Sequence, residues 1–555
     1  MTTATSTASL TRRFSPILLI WIIAVWTALG LLSDSLSTFA RFTVALVVVV
    51  SVAWLVVRLI ASREERSWLL TVTFIAILVR ITFALTVNSL IALEDFPYLM
   101  GNSKGYDSKS WTWAVAGGWA FPDIRFPGFV YTLGIVYRLF GPETQSQYIL
   151  LVFLALGGGL IVPFTYKFAE PLLGQRTAQV AIWIVALLPE FIFHSSVLIR
   201  DQLTALGLSI ALYGASRILA GHPASGIIAG MLGIGLAYFY NPIFGFATLV
   251  IWAGILIAMP GRFAPSRLTP MLLIALSVVI FLNATSVQLL DLNEERERER
   301  LEQQGIAQTD VIYYLNGEYL KGKFESLSEN ERTSQIYFDS SLARRILLGL
   351  PPVVSIGGQV FWGAFMPAIP VAAYYGKLAQ QIGFFVRTVG WQLTLPFVAY
   401  GAFTFVRSGG ASRTHMVLAI AAIGIVVIPA VGTVADLWDG PRYRSFGAPV
   451  LACIAALGWV RGLETRSLWL KSLLIGTFTL NVSYLAVSFI RHGSGGRIIS
   501  AVVDLNLVEL TTSLTSLLVN DFGAVMILII FSVGFSYIMK KVFGRGRAKS
   551  EAGTI

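Results

Sequence analysis

The run PILLIWIIAVWTALGLL, residues 16–32, decides the fold of this chain, and it closely follows Arg12 and Arg13. A helix of roughly 20 apolar residues crosses the ~30 Å hydrocarbon core of a bilayer. Runs of similar length and composition recur from one end of the sequence to the other. Because lipid offers backbone groups no hydrogen-bond partners, such runs fold as helices. The sequence therefore predicts an all-α, polytopic membrane protein.

The composition agrees with a membrane protein and argues against several kinds of site. Of the 555 residues, 55% are hydrophobic and 13% are charged, which is about half the charged fraction of an ordinary soluble protein. The single cysteine, Cys453, permits no intrachain disulfide and no cysteine-based metal site. The four histidines lack metal-ligand spacing, so no metal site is assigned, although a divalent metal stays open as a cofactor.

The positions of lysine and arginine predict the orientation of the helices. The net charge of +11 does not indicate nucleic acid, because most Lys and Arg residues lie in short loops between apolar runs, as is typical of cytoplasmic loops. No small-residue cleavage site follows the first run, which indicates an uncleaved span. We predict about 14 spans, in a range of roughly 11–14, with both termini on the cytoplasmic side of the plasma (inner) membrane. The cytoplasmic series is Arg12, Arg13, Arg58, Arg63, Arg66, Lys167, Arg176, Arg217, Arg262, Arg267, Arg407, Arg413, Arg461, Arg466, Lys540, Lys541, Arg545 and Arg547.

This orientation divides the chain into three parts. Residues 1–286 form an N-terminal transmembrane module with an outer loop at 93–147, and residues 386–555 form the C-terminal transmembrane helices. Between them, residues 287–385 form an extracytoplasmic insert with an interfacial or re-entrant helix. Its charged run NEERERER, at 293–300, is typical of a solvated helix held by i,i+4 pairs. Three segments either span the membrane or lie at its outer face as juxtamembrane helices: 127–140, 350–372 and 503–519.

A carboxylate lies in the outer stretch SKGYDSKSWTW, residues 103–113, which follows the third apolar run. Asp107 stands there among tyrosine and tryptophan residues, which favour the level of the lipid headgroups. A carboxylate held at that level can take a proton from a hydroxyl group as a general base. The alternative is an ordinary exposed loop aspartate beside aromatic anchors.

Two charged residues lie inside apolar runs, where charge is costly and usually faces a cavity or a partner. Arg80 is in the middle of the third run, and Glu190 follows Pro189 in a later one. For Arg80 the alternative is a structural pair with a carboxylate on a neighbouring helix. Arg125 precedes the 127–140 segment, and its alternative is a basic side chain that reaches from an interfacial helix to the headgroups.

In their order and spacing these blocks resemble the GT-C superfamily of membrane glycosyltransferases, in particular its protein mannosyltransferase-like and aminoarabinose transferase-like branch. The resemblance covers roughly residues 75–220 and 435–460. The branch often has Asp-Glu where this chain has Asp107-Ser108, and Lys-Pro-Pro or His-Pro-Pro where it has Arg125-Phe-Pro127. The matching elements are Arg80, Asp107, RFPGFVY at 125–131, LFG at 139–141, LLGQR at 172–176, Pro189, Ser195, Ser196, Arg200, Asp201 and RYRSFGAP at 442–449.

The resemblance implies an inverting glycosyltransferase with a polyprenyl-phosphate-linked sugar donor, an extracytoplasmic active site and a glycan, lipid or protein as acceptor. Asp107 is then the base that deprotonates the acceptor, and Asp201 is its rival. Outer-surface arginines would stabilise the charge that grows on the phosphate leaving group; the candidates are Arg200, Arg344, Arg345, Arg442 and Arg444. Residues assigned to the cavity or its support are Arg80, Arg125, Glu190 and Tyr443.

Other functions stay open at this point. A lipid or oligosaccharide flippase, or another transporter, places polar groups near the bilayer midplane on broken helices in two related halves. No repeated halves are visible in this sequence, and its polar groups collect at one face. An O-antigen polymerase or ligase of another membrane fold also fits a large outer loop with arginines, and a non-catalytic scaffold is the remaining alternative. The long stretch from Asp107 to Gly141, directly after an early span, favours the GT-C interpretation.

Overall fold

The structure is a computed structural model that describes residues 4–33, 35–87, 103–117, 127–141, 146–258, 363–365, 378–407, 413–432 and 443–492. In these ranges every regular element is helical, so the predicted helical fold is confirmed for this part of the chain. Of the predicted three-part division, the insert at 287–385 lies almost entirely outside the described residues, and its boundaries stay a prediction.

The helices are joined mostly by short connections. The first group is α1 (Ala4–Leu31), α2 (Leu36–Ile60), α3 (Arg63–Leu85), α4 (Ser103–Val115), α5 (Pro127–Phe140), α6 (Gln147–Leu173), α7 (Gln175–Leu187), α8 (Pro189–Ser195), α9 (Asp201–Leu219), α10 (Pro223–Tyr240) and α11 (Pro242–Ala258). The second group is α12 (Leu378–Arg407), α13 (Arg413–Gly432), a 3₁₀ turn (Tyr443–Gly447), α14 (Ala448–Thr465) and α15 (Leu468–His492).

The centre of the bundle is formed by α6, α9 and α14, which are buried along most of their length. By contrast, α2 has one buried stripe and an outward face with exposed Val44, Val47 and Leu55, as suits contact with lipid. The packing of α9 against α10 depends on glycine: a Cβ at Gly214 would lie 2.5 Å from the Gly230 nitrogen. Small residues let helix backbones approach closely where lipid gives no hydrophobic drive for association.

Ion pairs and hydrogen bonds join several lysine- and arginine-bearing helix ends at one end of the bundle, here called the basic end. Lys167, at the end of α6, pairs with Glu65, at the start of α3, with 2.5 Å between nitrogen and oxygen. Arg176 of α7 lies 3.3 Å from Glu464 of α14. These residues come from loops that the sequence assigns to one side of the membrane, so the structure groups them as predicted.

The described residues include five helices long and apolar enough to cross a membrane, or six if α7 and α8 form one bent span. The multi-pass character is therefore clear, while the predicted total of about 14 spans includes runs outside the described residues. Helix α5 has 14 residues and is ~21 Å long at 1.5 Å per residue. That is shorter than the ~30 Å hydrocarbon core, which favours an interfacial or re-entrant position for 127–140. Two of the three uncertain segments lie outside the described residues: 503–519, and 350–372 apart from 363–365.

Which end faces the cytoplasm is tested by cysteine labelling. If the basic end is cytoplasmic, as the positive-inside rule predicts, Arg63→Cys and Arg413→Cys should be protected from a membrane-impermeant thiol reagent in intact cells, and Glu318→Cys should react. Background labelling should be low because Cys453 is fully buried. Reaction at positions 63 and 413 together with protection at 318 would reverse the orientation.

Candidate functional site

A break in one span shapes the end of the bundle opposite the basic end. Helices α7 and α8 meet at an angle of 50°. Leu188 joins them in an extended conformation, with ψ 123°, and Pro189 begins α8. Proline has no N–H to donate to the preceding turn, so the sequence itself interrupts the helix here. The break turns α8 toward α12 and leads the chain on to Arg200 and Asp201.

Arg80 of α3 lies against this break and is fully buried. Its guanidinium donates to the carbonyl oxygens of Val185 at 2.8 Å and Ala186 at 3.0 Å, at the end of α7. It also donates to Ser195 Oγ at 3.0 Å, at the end of α8. The alternative in which Arg80 pairs with a carboxylate is therefore wrong for the described part of the chain. Its partners are backbone carbonyls that the break exposes.

Three buried charged side chains lie within electrostatic range of one another where α8, α12 and the 3₁₀ turn come together. Glu190, Arg387 and Arg444 are 2%, 0% and 2% exposed, and the carboxylate of Glu190 interacts electrostatically with both arginines. A Cβ at Gly390 would lie 2.5 Å from the Glu190 nitrogen, so α12 packs directly on the first turn of α8. We call Glu190, Arg387 and Arg444 the charge cluster; together they carry one net positive charge.

Arg444 is held in place from two sides. Its guanidinium carbon lies 3.8 Å from the centre of the Trp391 ring, a cation–π geometry. Its Nη1 donates to the Ala364 carbonyl at 3.1 Å, and Trp391 Nε1 donates to the same oxygen at 2.8 Å. These two hydrogen bonds hold residues 363–365 next to the charge cluster. Arg444 is therefore placed by packing as well as by charge.

Arg387 is the site residue that sequence reasoning missed. It lies in a largely apolar run beside the predicted boundary of the insert at residue 385. The signal that could have found it is the one that singled out Arg80, an arginine within an apolar run. In the structure Arg387 is nine residues into α12 and fully buried.

Arg200 and Asp201 are buried at the start of α9, with 5% and 0% exposure. Arg200 is the N-cap residue and Asp201 is the first helical residue. The 3₁₀ turn that carries Arg444 packs against α9 and α8, and its Tyr443 ring lies 5.7 Å from the Phe244 ring at the start of α11. The elements that bear Arg200, Glu190 and Arg444 are thus neighbours.

Asp107 is a buried helical residue, and not an exposed loop aspartate. It lies on α4 and is 1% exposed. Tyr137 of α5 donates its hydroxyl hydrogen to Asp107 Oδ1 at 2.5 Å. The next residue, Arg138, donates to the Trp113 carbonyl at 2.7 Å and stacks on the Trp113 ring at 3.6 Å. The Tyr137-Arg138 motif therefore ties α5 to α4 and fixes the carboxylate.

The α4–α5 hairpin lies at the same end of the bundle as the charge cluster, since α5 bonds to the last residue of α10. Thr132 Oγ1 lies 3.2 Å from the Tyr240 hydroxyl, and α10 in turn packs on α9. Four predicted residues lie outside the described ranges: Arg125, Arg344, Arg345 and Arg442. Within those ranges no group of three His, Cys, Asp or Glu side chains could hold a metal ion.

Comparison with known proteins finds neighbours in structure. No protein-family model matches the sequence, and no curated protein matches it either. The archaeal oligosaccharyltransferase AglB from Archaeoglobus fulgidus, in complex with an inhibitory peptide and a dolichol-phosphate, is similar over 77% of this chain, with 15% identity and a TM-score of 0.39. ArnT from Cupriavidus metallidurans, bound to undecaprenyl phosphate, is similar over 72% of this chain and 79% of its own, with 16% identity and a TM-score of 0.32.

The chain spans 55% of the length of the archaeal oligosaccharyltransferase. The lipid phosphates and the peptide are ligands of those two proteins.

Proposed function

We propose that this protein is an inverting glycosyltransferase that moves a sugar from a polyprenyl-phosphate-linked donor to a glycan, lipid or protein acceptor at the extracytoplasmic face. The observation that carries the proposal is the charge cluster. Two arginines and one glutamate are buried together at one end of an apolar bundle, with a net positive charge. Burying charge inside a membrane bundle is costly, and charged groups found there are usually functional.

The charge cluster fits the leaving group of such a reaction. When the sugar leaves its donor, negative charge grows on the phosphate, and fixed cations nearby stabilise it. Arg444 and Arg387 supply that charge, and Arg200 lies on a neighbouring element. The cations sit at the end of the bundle opposite the basic end, as suits a headgroup at the membrane surface with its polyprenyl tail between helices. Arg442, Arg344 and Arg345 stay further candidates from the sequence.

Asp107 is our proposed base toward the acceptor hydroxyl, with Asp201 as the rival. Tyr137 fixes the Asp107 carboxylate through Oδ1, so one oxygen is oriented by the hairpin and the group has a defined direction. General acid–base catalysis depends on such positioning within hydrogen-bond reach of the proton to be moved. Asp201 has the advantage of lying beside Arg200, on an element that packs against the 3₁₀ turn.

A lipid or oligosaccharide flippase is the second candidate, and the α7–α8 break favours it. Transporters build substrate sites from discontinuous helices whose broken ends face the ligand. The two functions differ in products: a transferase consumes the sugar donor and releases polyprenyl phosphate, whereas a flippase changes only the leaflet in which the lipid resides. Donor consumption by the purified protein, with an acceptor extract present, separates them.

The phosphate site is tested by binding. Undecaprenyl phosphate should bind the purified full chain in detergent, and Arg444→Gln should weaken binding because a charge-assisted contact of about 1.5–3 kcal/mol is lost. That corresponds to roughly 10- to 150-fold in Kd. Arg444→Lys, which keeps the charge, should lose less.

Arg176→Gln is the matched control, since Arg176 is an exposed arginine at the basic end that pairs with Glu464. Its affinity for undecaprenyl phosphate should equal that of the wild type. Wild-type affinity in both Arg444→Gln and Arg200→Gln would remove the phosphate site from this end of the bundle.

A further inference from the structure

The α7–α8 break leaves backbone groups that the helix itself cannot satisfy. In a continuous helix the Val185 carbonyl would accept from residue 189, but Pro189 has no N–H. Leu188 still donates to Ile184, and beyond Glu190, in the first turn of α8, the N–H groups of Phe191 and Ile192 donate to Leu188. The carbonyls of Val185 and Ala186 therefore lose their usual partners inside the bundle. An unsatisfied carbonyl in a membrane interior costs several kcal/mol.

Arg80 replaces these missing donors from another helix. Nη2 donates to Val185 and Nη1 to Ala186, while Nε donates to Ser195 Oγ on the far side of the break. Ser196 Oγ lies 3.3 Å from the Arg80 carbonyl oxygen, which adds a second contact to the end of α8. One guanidinium thus joins the last turn of α7 to the last turn of α8 and fixes the angle between them.

The neighbouring helix leaves room for this arrangement. A Cβ at Gly158 of α6 would lie 2.4 Å from Ser195 Oγ and 2.7 Å from Arg80 Nε. Any larger residue at 158 would push the guanidinium away from the break. The bundle therefore has a fitted space for the side chain, between α3, α6 and α8.

We propose that Arg80 is a positioning residue of the site: by holding the α7–α8 break it sets the position of residues 188–201, which carry Glu190, Arg200 and Asp201. Arg80 acts through these residues, and its own guanidinium is engaged with carbonyls. The functional part of this inference rests on the proposed function, because it expects lipid-phosphate binding to depend on Arg80. A purely structural arginine would instead affect stability alone.

A positioning role and a purely structural role of Arg80 are separated by restoring the backbone N–H that the α7–α8 break lacks at residue 189. Arg80→Met should lower the melting temperature in detergent and weaken undecaprenyl phosphate binding about tenfold or more. In Arg80→Met/Pro189→Ala, residue 189 regains an N–H that can donate to Val185, so the span can continue straight. The double variant should melt at a higher temperature than Arg80→Met, because the Val185 carbonyl regains a donor, and should still bind the lipid phosphate weakly. Arg217→Met, at the basic end, is the control for loss of an arginine.

A second measurement needs no ligand: the change in melting temperature caused by Glu190→Gln. In the wild-type background Glu190→Gln should lower the melting temperature, because the charge cluster is formed. In the Arg80→Met/Pro189→Ala background the same change should have little effect, since Glu190 no longer lies near its arginines; such coupling is measured by a mutant cycle. Equal effects in both backgrounds, or recovery of both stability and binding in the double variant, would overturn the positioning role. Absence of lipid-phosphate binding in the wild type would sink the proposed function but leave this coupling measurable.

Discussion

Asp107→Asn is expected to reduce sugar transfer by about 10²–10⁴-fold, the range for loss of a general base, while the protein still folds and binds donor. Asparagine keeps the size of the side chain, and its carbonyl oxygen can still accept the Tyr137 hydroxyl hydrogen that Asp107 Oδ1 accepts now. The α4–α5 hairpin should therefore persist. Only the basicity is lost, so the defect belongs to the chemical step.

Donor consumption and undecaprenyl phosphate binding are to be measured on the same preparation. A variant that binds the lipid phosphate normally but does not consume donor supports Asp107 as the base. Asp201→Asn is the matched comparison, because it makes the same change at the rival carboxylate. An inactive Asp201→Asn beside an active Asp107→Asn would transfer the role to Asp201, and wild-type activity of both would defeat a carboxylate base at either position.

Glu190→Gln is expected to destabilise the ligand-free protein, because two buried arginines lose the one nearby carboxylate whose charge offsets theirs. Arg387 and Arg444 would then lie buried beside a neutral amide. The same change should tighten lipid-phosphate binding, because the anion no longer competes with a carboxylate for the two arginines. A loss of stability with a gain in affinity is the signature of a charge cluster built to receive an anion.

Reversible unfolding in mixed micelles measures the first effect, and binding of undecaprenyl phosphate measures the second. Glu170→Gln is the control: Glu170 pairs with Lys167 at 3.2 Å but is 28% exposed, and exposed pairs are worth only about 0–1 kcal/mol. Equal stability of Glu190→Gln and wild type would show that the charge cluster contributes nothing to folding. Weaker lipid-phosphate binding by Glu190→Gln would argue that Glu190 itself orients the ligand.

Local sequence was sufficient for the class of fold and for much of the site inventory. Apolar runs of span length predict helices because lipid leaves the backbone no alternative. The Lys and Arg residues predict which helix ends lie together, and contacts such as Lys167–Glu65 and Arg176–Glu464 join those ends. The sequence also singles out Arg80 and Glu190, because a charge within an apolar run is costly wherever the helix is placed.

The partners of those charges were decided only by the tertiary structure. Arg80 donates hydrogen bonds to the backbone carbonyls of Val185 and Ala186, more than 100 positions away in the chain. Every residue has a backbone carbonyl, so no side-chain type in the sequence identifies these acceptors. Glu190 lies within electrostatic range of Arg387 and Arg444, which come from two other elements, so only the packing shows that Arg387 belongs to the site. Asp107 is buried because Tyr137 and the α4–α5 hairpin cover it. A sequence shows where charge must be compensated; which groups compensate it depends on how the helices pack.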